Sequence, residues 1–423
     1  MKKGNQVRGE RFLNAFSRRD FLKGAAALGV GTGLAGLPVR PARAGAVKEA
    51  NVAVLYPTSG SNARFGQMCV NAIKIAVEDI NNAGGIKSLG GAKLNAIYAD
   101  IQSEATVTRN QAERLMATGN LAAATGCYVS TYTLVATEVA ERYKIPFITG
   151  SIADKLTERG FKYTFQVSPK ASHFGQLQME FAAKMAGGGK RVAIVYEDTD
   201  YGTATSKGFI DGAKKAGFEI VMTEPYTAKF TDATPLVNKI KAAKPDFLFP
   251  VSYITDALLI IRTMKQLNVN AGIFGGGAGY IIPDFYKDMG KDGEYVFSAA
   301  SWNYDLNCGD VARFAAAYEK KHGEFLNEHA GEAYIMMWVI ADSIERAGST
   351  DPQKVRDAMA KTNLTKGPGA AMPACHVEFN EQGWNKQVHP VILQWQSGKL
   401  RTVYPASDSK VTPVWPIPAW DKR

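Results

Sequence analysis

The feature that most constrains the fold of this chain is a repeated alternation of short apolar segments and amphipathic helices, which begins at residue 51. Residues 51–56 predict a strand. The segment that follows places four apolar residues on one helix face, at i, i+3, i+4 and i+7: Ile73, Ala76, Val77 and Ile80. Strands that alternate with helices in this order form parallel sheets. The sequence therefore predicts an α/β fold.

The alternation occurs in two runs and then gives way to helices. The first run predicts strands at 93–99, 121–125 and 146–149 and helices at 104–118 and 130–142. The second predicts helices at 172–185, 201–216, 233–243 and 255–267 and strands at 191–196, 218–223, 246–250, 272–274 and 294–300. Three helices follow at 310–322, 330–347 and 352–361. Because a single core stops growing at roughly 250 to 300 residues, we expect two doubly wound parallel-sheet lobes.

The N-terminus carries an export signal. Arg18 and Arg19 precede Phe-Leu-Lys, an apolar run from Gly24 to Leu37 and a small-x-small triplet that ends at Ala44. This combination resembles a bacterial twin-arginine signal, with cleavage before Gly45. The apolar run is shorter than the roughly 20 residues that a spanning helix needs. We therefore predict that residues 1–44 are a signal peptide and that the protein works in the periplasm.

Charge and motif content exclude several classes of function. The segment 1–44 holds nine basic and two acidic residues, so +7 of the formal charge of +10 belongs to it and about +3 remains. This weak charge argues against a nucleic-acid partner, and no other stretch is apolar enough for stable membrane insertion. We find no His-Glu-x-x-His run, Gly-x-Ser-x-Gly elbow or paired-cysteine zinc spacing. The sequence thus predicts no enzyme, no metal and no cofactor.

Three sequence blocks carry a resemblance to a known family: residues 52–60, 126–131 and 197–202. With Phe65-Gly66 and residues 79–86, they resemble the Leu/Ile/Val-binding type of periplasmic solute-binding protein, and the likeness extends over about residues 48–405. The resemblance implies a type I periplasmic binding fold, with two lobes joined by a three-strand hinge. It also implies a small-molecule ligand held between the lobes and delivered to an ABC permease with its ATPase subunits.

The resemblance also implies how the chain divides. One lobe comprises 48–168 plus 302–378, the other comprises 169–301 plus 379–405, and 406–423 form a Pro/Trp-rich tail. Spacing alone leaves the pairing of the four cysteines open. The interleaved topology returns Cys308 and Cys375 to the first lobe, so we expect a disulfide between them, with Cys69 and Cys127 as the next pair.

Ligands of open parallel sheets bind beyond the carboxyl ends of the strands, near helix N-termini. The resemblance places ligand contacts on those loops at Phe65, Tyr128, Ser130, Thr131, Ser151, Ile152, Tyr201, Tyr253 and Gly277. Two alternatives remain for these residues. Ser130 and Thr131 open a helix and are suited to cap it, and a tyrosine after a strand is often a core residue.

Two of these positions depart from the pattern of the amino-acid binders. Ile152 stands where a carboxylate-binding Thr is usual, and Gly277 stands where an acidic residue pairs with the ligand ammonium. Asp256, Asp200 and Asp305 are candidate replacements, although helix capping is the better explanation for Asp256. The departures favour a non-amino-acid carboxylate or an amide as ligand. The alternatives are a Leu/Ile/Val-like amino acid and a sensor that reports to a signalling partner.

Overall fold

The computed structural model describes residues 47–185, 187–409 and 411–423. The signal sequence predicted at 1–44 lies outside the described residues. Within them, no helix combines the length and the apolar character that crossing a membrane requires.

The first part of the chain builds a five-stranded parallel sheet in the order β2-β1-β3-β4-β5. Its elements are β1 (Glu49–Tyr56), α1 (Ala63–Asn82), β2 (Lys93–Asp100), α2 (Ala105–Met116), β3 (Leu121–Gly126), α3 (Ser130–Tyr143), β4 (Phe147–Thr149) and β5 (Thr164–Gln166). All residues of β3, β4 and β5 are buried, as expected for parallel strands that are covered on both faces. This confirms the predicted α/β class for the first run.

The second part contributes the parallel core of another sheet. Its elements are α4 (Ala171–Met185), β6 (Arg191–Glu197), α5 (Asp200–Ala216), β7 (Glu219–Tyr226), α6 (Thr234–Ala243), β8 (Phe247–Val251), α7 (Ile254–Gln266), β9 (Gly272–Gly275), α8 (Pro283–Met289) and β10 (Phe297–Ala300). Two segments differ from prediction: α8 was not anticipated, and β10 is shorter than 294–300. The strand starts late because Tyr295 has φ +63° and Glu294 accepts hydrogen bonds from the 397–398 turn.

The last part of the chain returns first to the five-stranded sheet and then to the second one. Its elements are α9 (Val311–His322), α10 (Glu328–Ala347), α11 (Pro352–Met359), the short pair β11 (Asn363–Leu364) and β12 (Val377–Glu378), β13 (Val391–Gln396) and β14 (Lys399–Tyr404). Helix α10 packs on α1, β3 and β4, whereas β13 and β14 extend the second sheet to β14-β13-β10-β9-β8-β6-β7. The chain therefore passes three times between the two layers.

The sequence analysis ended the first lobe at residue 378, but the residues that follow remain beside the first sheet. The backbone N–H of Gln166 in β5 donates to the carbonyl of Gly383, and the N–H of Asn385 donates back to Gln166, both at 2.8 to 2.9 Å. The chain thus leaves β5 after residue 385 and joins the second sheet at β13.

The tail and the cysteines stabilise the periphery. Trp415 stacks on Phe247 with ring centroids 5.3 Å apart, and the Trp420 indole N–H donates to the carbonyl of Val269. The tail is therefore packed against the second layer. Cys308 is disulfide-bonded to Cys375, whereas Cys69 and Cys127 are buried and unbonded.

Candidate functional site

Six of the nine predicted ligand residues meet around one small cavity between the two sheets, which we call the inner cavity. They are Tyr128, Ser130, Ile152, Tyr201, Tyr253 and Gly277. The cavity measures about 20 Å³, close to the volume of one water-sized group. Gly150, Phe174, Ala278, Glu328 and His329 complete its wall. Both sheets contribute through loops at the carboxyl ends of their strands, as predicted for this fold class.

The loop from β3 to α3 forms the wall on the side of the first sheet. Cys127 and Tyr128 have positive φ angles of 70° and 26°, which are costly for residues with side chains. The Ser151 hydroxyl donates to the carbonyl of Tyr128 at 2.5 Å and holds this turn in place. Ser151 is not among the residues that line the cavity. Its hydroxyl therefore positions the Tyr128 loop, whereas the sequence analysis expected it to contact the ligand.

Aromatic rings back the cavity. Phe65 stacks on Tyr128 with ring centroids 5.2 Å apart and meets the edge of Tyr253 at 6.1 Å, but it does not line the cavity itself. Tyr253 also packs against Tyr201 at 5.3 Å. These contacts connect rings from both layers. Because aromatic pairs prefer such offset and edge geometries, the cluster fixes the orientation of the tyrosines that line the cavity.

On the side of the second sheet, backbone groups rather than charged side chains form the wall of the cavity. Gly277 has φ +108° and ψ −137°, a combination that is essentially restricted to glycine. The Tyr201 hydroxyl donates to the carbonyl of Gly276 at 2.8 Å, so this hydroxyl already has a partner. A residue with a side chain would be strained at 277, so the acidic residue that the resemblance implies there does not suit this backbone.

The first turn of α10 brings two residues to the inner cavity that the sequence analysis missed, Glu328 and His329. Glu328 Oε1 accepts a hydrogen bond from the backbone N–H of Ser301, and Oε2 lies 3.7 Å from His329 Nδ1. Burial raises the pKa of Glu328 above its usual range and lowers the pKa of His329 to about 3. His329 is therefore neutral near pH 7. Two titratable residues shortly before the apolar stretch 333–341 are the sequence signal that could have revealed this turn.

Two fully buried polar atoms of the residues that line the inner cavity have no hydrogen-bond partner among the described residues. They are the Tyr128 hydroxyl and His329 Nε2. Buried polar groups in folded proteins are nearly always paired, and leaving one unpaired costs about 1 to 3 kcal/mol. Unpaired groups at a cavity wall are typical of a site that pairs them with a ligand.

A larger space, the outer cavity, adjoins the inner one and shares Tyr201 and Tyr253 with it. It measures about 400 Å³. Thr131 lies here, and its hydroxyl donates to Asp200 Oδ2 at 3.1 Å. This hydrogen bond joins the N-terminus of α3 to that of α5 and so connects the two layers.

Buried acids also line the outer cavity. Asp256 Oδ2 accepts a hydrogen bond from the backbone N–H of Lys229 at 2.9 Å, and Oδ1 has no partner among the described residues. The N-cap of α7 is Tyr253, without a side-chain cap, so Asp256 does not make the capping bond that we considered. Burial raises the pKa of Glu197 to about 7. Asp305, the remaining candidate, is bound to Thr402 away from both cavities.

Comparisons with known proteins identify the family. Residues 49–385 match the family model described as periplasmic binding protein, and residues 15–35 match the model of a twin-arginine translocation pathway signal sequence. The chain therefore belongs to the periplasmic binding protein family and carries a twin-arginine signal for the periplasm.

Similar proteins are known by sequence and by structure. A curated relative, Leu/Ile/Val-binding protein homolog 7 of Brucella melitensis, is 30% identical over 375 residues, which cover 83% of this chain and 90% of the relative. Among solved structures, the leucine-binding protein LivK of Thermotoga maritima superimposes with a TM-score of 0.75 at 23% identity, covering 85% of this chain and 99% of that one. LivJ of Streptococcus pneumoniae, solved with isoleucine, also gives 0.75, at 22% identity, covering 85% and 100%. These structures confirm the type I periplasmic binding fold.

Proposed function

We propose that this protein is the solute-binding component of an ABC importer of the branched-chain amino acid type. It captures one small organic solute between its two layers and delivers it to a membrane permease that works with ATPase subunits. We propose the lobes expected from the sequence, 48–168 with 302–378 and 169–301 with 379–405, except that residues 379–385 stay beside β5 and therefore belong with the first lobe.

The observation that carries this proposal is the inner cavity itself. Loops from both sheets form its wall, and two polar atoms of the lining residues, the Tyr128 hydroxyl and His329 Nε2, are unpaired. Both atoms belong to the first lobe, and Tyr201 and Tyr253 of the second lobe line the same cavity, so a ligand bound there contacts both lobes at once. Binding therefore favours the closed arrangement of the lobes, which the Thr131–Asp200 hydrogen bond also favours.

The chemistry of the wall supports capture rather than catalysis. The histidine at the inner cavity has a pKa lowered to about 3 by burial, and a general base works best with a pKa near the working pH. The Ser151 hydroxyl is hydrogen-bonded to Thr133 Oγ1 and to the carbonyl of Tyr128, and among the described residues no histidine forms a hydrogen bond with it that would activate it as a nucleophile. We therefore propose that the ligand leaves the site chemically unchanged.

A thermal-shift screen of the exported chain tests the proposal. The panel contains L-amino acids, aromatic acids, small dicarboxylates and amides, because these classes cover both ligand types left open by the sequence. A compound that binds only the folded state raises Tm by mass action. We expect at least one class to raise Tm in the wild type and less so in Ser130→Ala. If no compound of any class raises Tm, the proposal is contradicted.

A further inference from the structure

We propose that the carboxylate of Glu328 binds a protonated amino group of the ligand, in place of the acidic residue that this chain lacks at position 277. The inference rests on the proposed function and narrows the solute to one that carries an ammonium group. It assigns the first turn of α10 to ligand recognition.

Position and pairing single out Glu328 among the buried acids. Glu328 lines the same cavity of about 20 Å³ as Gly277, Tyr128 and Ser130, so a single head group reaches all four residues. Only Oε1 has a hydrogen-bond partner, the backbone N–H of Ser301, and Oε2 forms no hydrogen bond with the described residues. A carboxylate with one oxygen held and the other available is suited to accept from a charged donor.

The neighbours of Glu328 do not supply a positive charge. The other titratable groups around it are His329 and Glu332 on its own helix and Tyr128, Tyr201 and Tyr253 from the facing loops. His329 is neutral near pH 7, and the tyrosines are neutral as well, because burial raises their pKa values. Since a buried carboxylate without a counter-charge is costly, a ligand ammonium is the group that this site lacks.

Two other residues of the cavity wall suit an oxygen-bearing group. Ser130 is the first residue of the 14-residue helix α3, whose leading N–H groups have no partner within the helix. The Tyr128 hydroxyl, also unpaired, lies on the same wall. Together these donors can bind a carboxylate without the Thr that Ile152 replaces. These donors and the Glu328 carboxylate are therefore complementary to the two charges of a zwitterionic head group.

Titration calorimetry with matched probes tests the inference. The pairs are L-leucine with 4-methylpentanoate, L-phenylalanine with 3-phenylpropanoate and L-glutamate with glutarate, which differ only by the amino group. We expect the amine-bearing member of the binding pair to bind about 100-fold more tightly, and Glu328→Gln to remove most of this difference. The glutamine keeps the volume and the acceptor for Ser301, so the variant should fold.

A second readout separates recognition from a structural role. Near pH 6, Glu328 should lose its proton when it pairs with the ammonium. In calorimetry, this release makes the measured binding enthalpy depend on the ionisation enthalpy of the buffer. The release should vanish in Glu328→Gln. The matched control is Glu332→Gln, one helical turn away and buried but outside the cavity wall, which should keep the preference for the amine.

The outcomes distinguish this inference from the proposed function. The inference is overturned if acids or amides bind as tightly as their amine-bearing partners, or if no amine-bearing compound binds. Binding of any other compound in the panel would still support the proposed function. Amine binding that Asp256→Asn abolishes and Glu328→Gln leaves unchanged also overturns it, because the ammonium then lies in the outer cavity. If nothing in any class binds, both proposals fail.

Discussion

The inner and outer cavities share two tyrosines but differ in size and in how their polar groups are paired. The inner cavity, at about 20 Å³, has the unpaired Tyr128 hydroxyl and His329 Nε2 on its lining residues. The outer cavity, at about 400 Å³, is lined by Thr131, whose hydroxyl donates to Asp200, and by Asp256, whose Oδ1 has no partner among the described residues. We therefore propose that the small inner cavity recognises the head group of the ligand, whereas the larger outer one admits the rest.

The largest expected effect concerns the ring that separates the two cavities. Tyr253→Ala removes the contacts of this ring with Phe65 and Tyr201 and joins the two spaces. We expect the free energy of ligand binding to weaken by about 3 to 4 kcal/mol, as for a central aromatic hot spot, measured by calorimetry. Tyr253→Phe keeps the ring and serves as the control. Equal affinities for the alanine and phenylalanine variants would show that the ring does not divide the site.

The next effect concerns a buried acid of the outer cavity. Burial raises the pKa of Glu197 from 4.5 to about 7, so the folded protein keeps a proton that the unfolded chain has lost. The protonated carboxyl therefore adds ~3 kcal/mol to the free energy of unfolding below about pH 4.5, and this contribution is lost as the pH rises through 7. Glu197→Gln should therefore lose less stability than the wild type between pH 5 and 8 in urea titrations. Parallel curves for the two proteins would contradict the buried-acid assignment.

A smaller effect distinguishes neighbouring residues on α3. Ser130 faces the inner cavity, and Thr131 faces the outer one. Ser130→Ala should weaken binding by about 2 kcal/mol because a ligand oxygen loses its donor, whereas Thr131→Ala removes only a partly exposed bond to Asp200 and should cost about 0.5 kcal/mol. Calorimetry on both variants gives the two values. The reverse order would place the head group in the outer cavity.

The last prediction is that His329 does not titrate near neutral pH. Burial lowers the pKa of His329 to about 3, so its ring should remain neutral between pH 5 and 8. The ring resonances of His329 in NMR spectra should then stay constant over this range. A midpoint for His329 inside the range would mean that the inner cavity carries positive charge, which would remove the reason for an ammonium ligand.

Much of the fold follows from local sequence patterns. The periodicity in residues 51–361 predicted most helices and parallel strands, because burial on one helix face or on both strand faces leaves a direct mark in the sequence. The structure adds β5 and α8. At three residues, β5 is too short for any period, and α8 spans only Pro283–Met289.

The site divides in the same way. Resemblance located Tyr128, Ser130, Tyr201 and Tyr253 on the loops after strands, and the structure brings them to one cavity. The resemblance could not show that the Ser151 hydroxyl is hydrogen-bonded to the Tyr128 carbonyl. It also could not show that Phe65 packs behind Tyr128 without lining the cavity. These outcomes depend on side-chain direction, which neither spacing nor periodicity records.

The sequence by itself determined the export signal, the α/β class and the loops that face the cleft, because each depends on residues close together in the chain. Only the tertiary structure decided that Glu328 and His329 line the cavity with residues 128–130, some 200 positions earlier. The physical reason is the interleaved topology: the chain leaves the first layer after β5, builds the second and returns as α10 to pack on α1. Contacts between such distant segments follow from how the layers pack, and no local pattern encodes them.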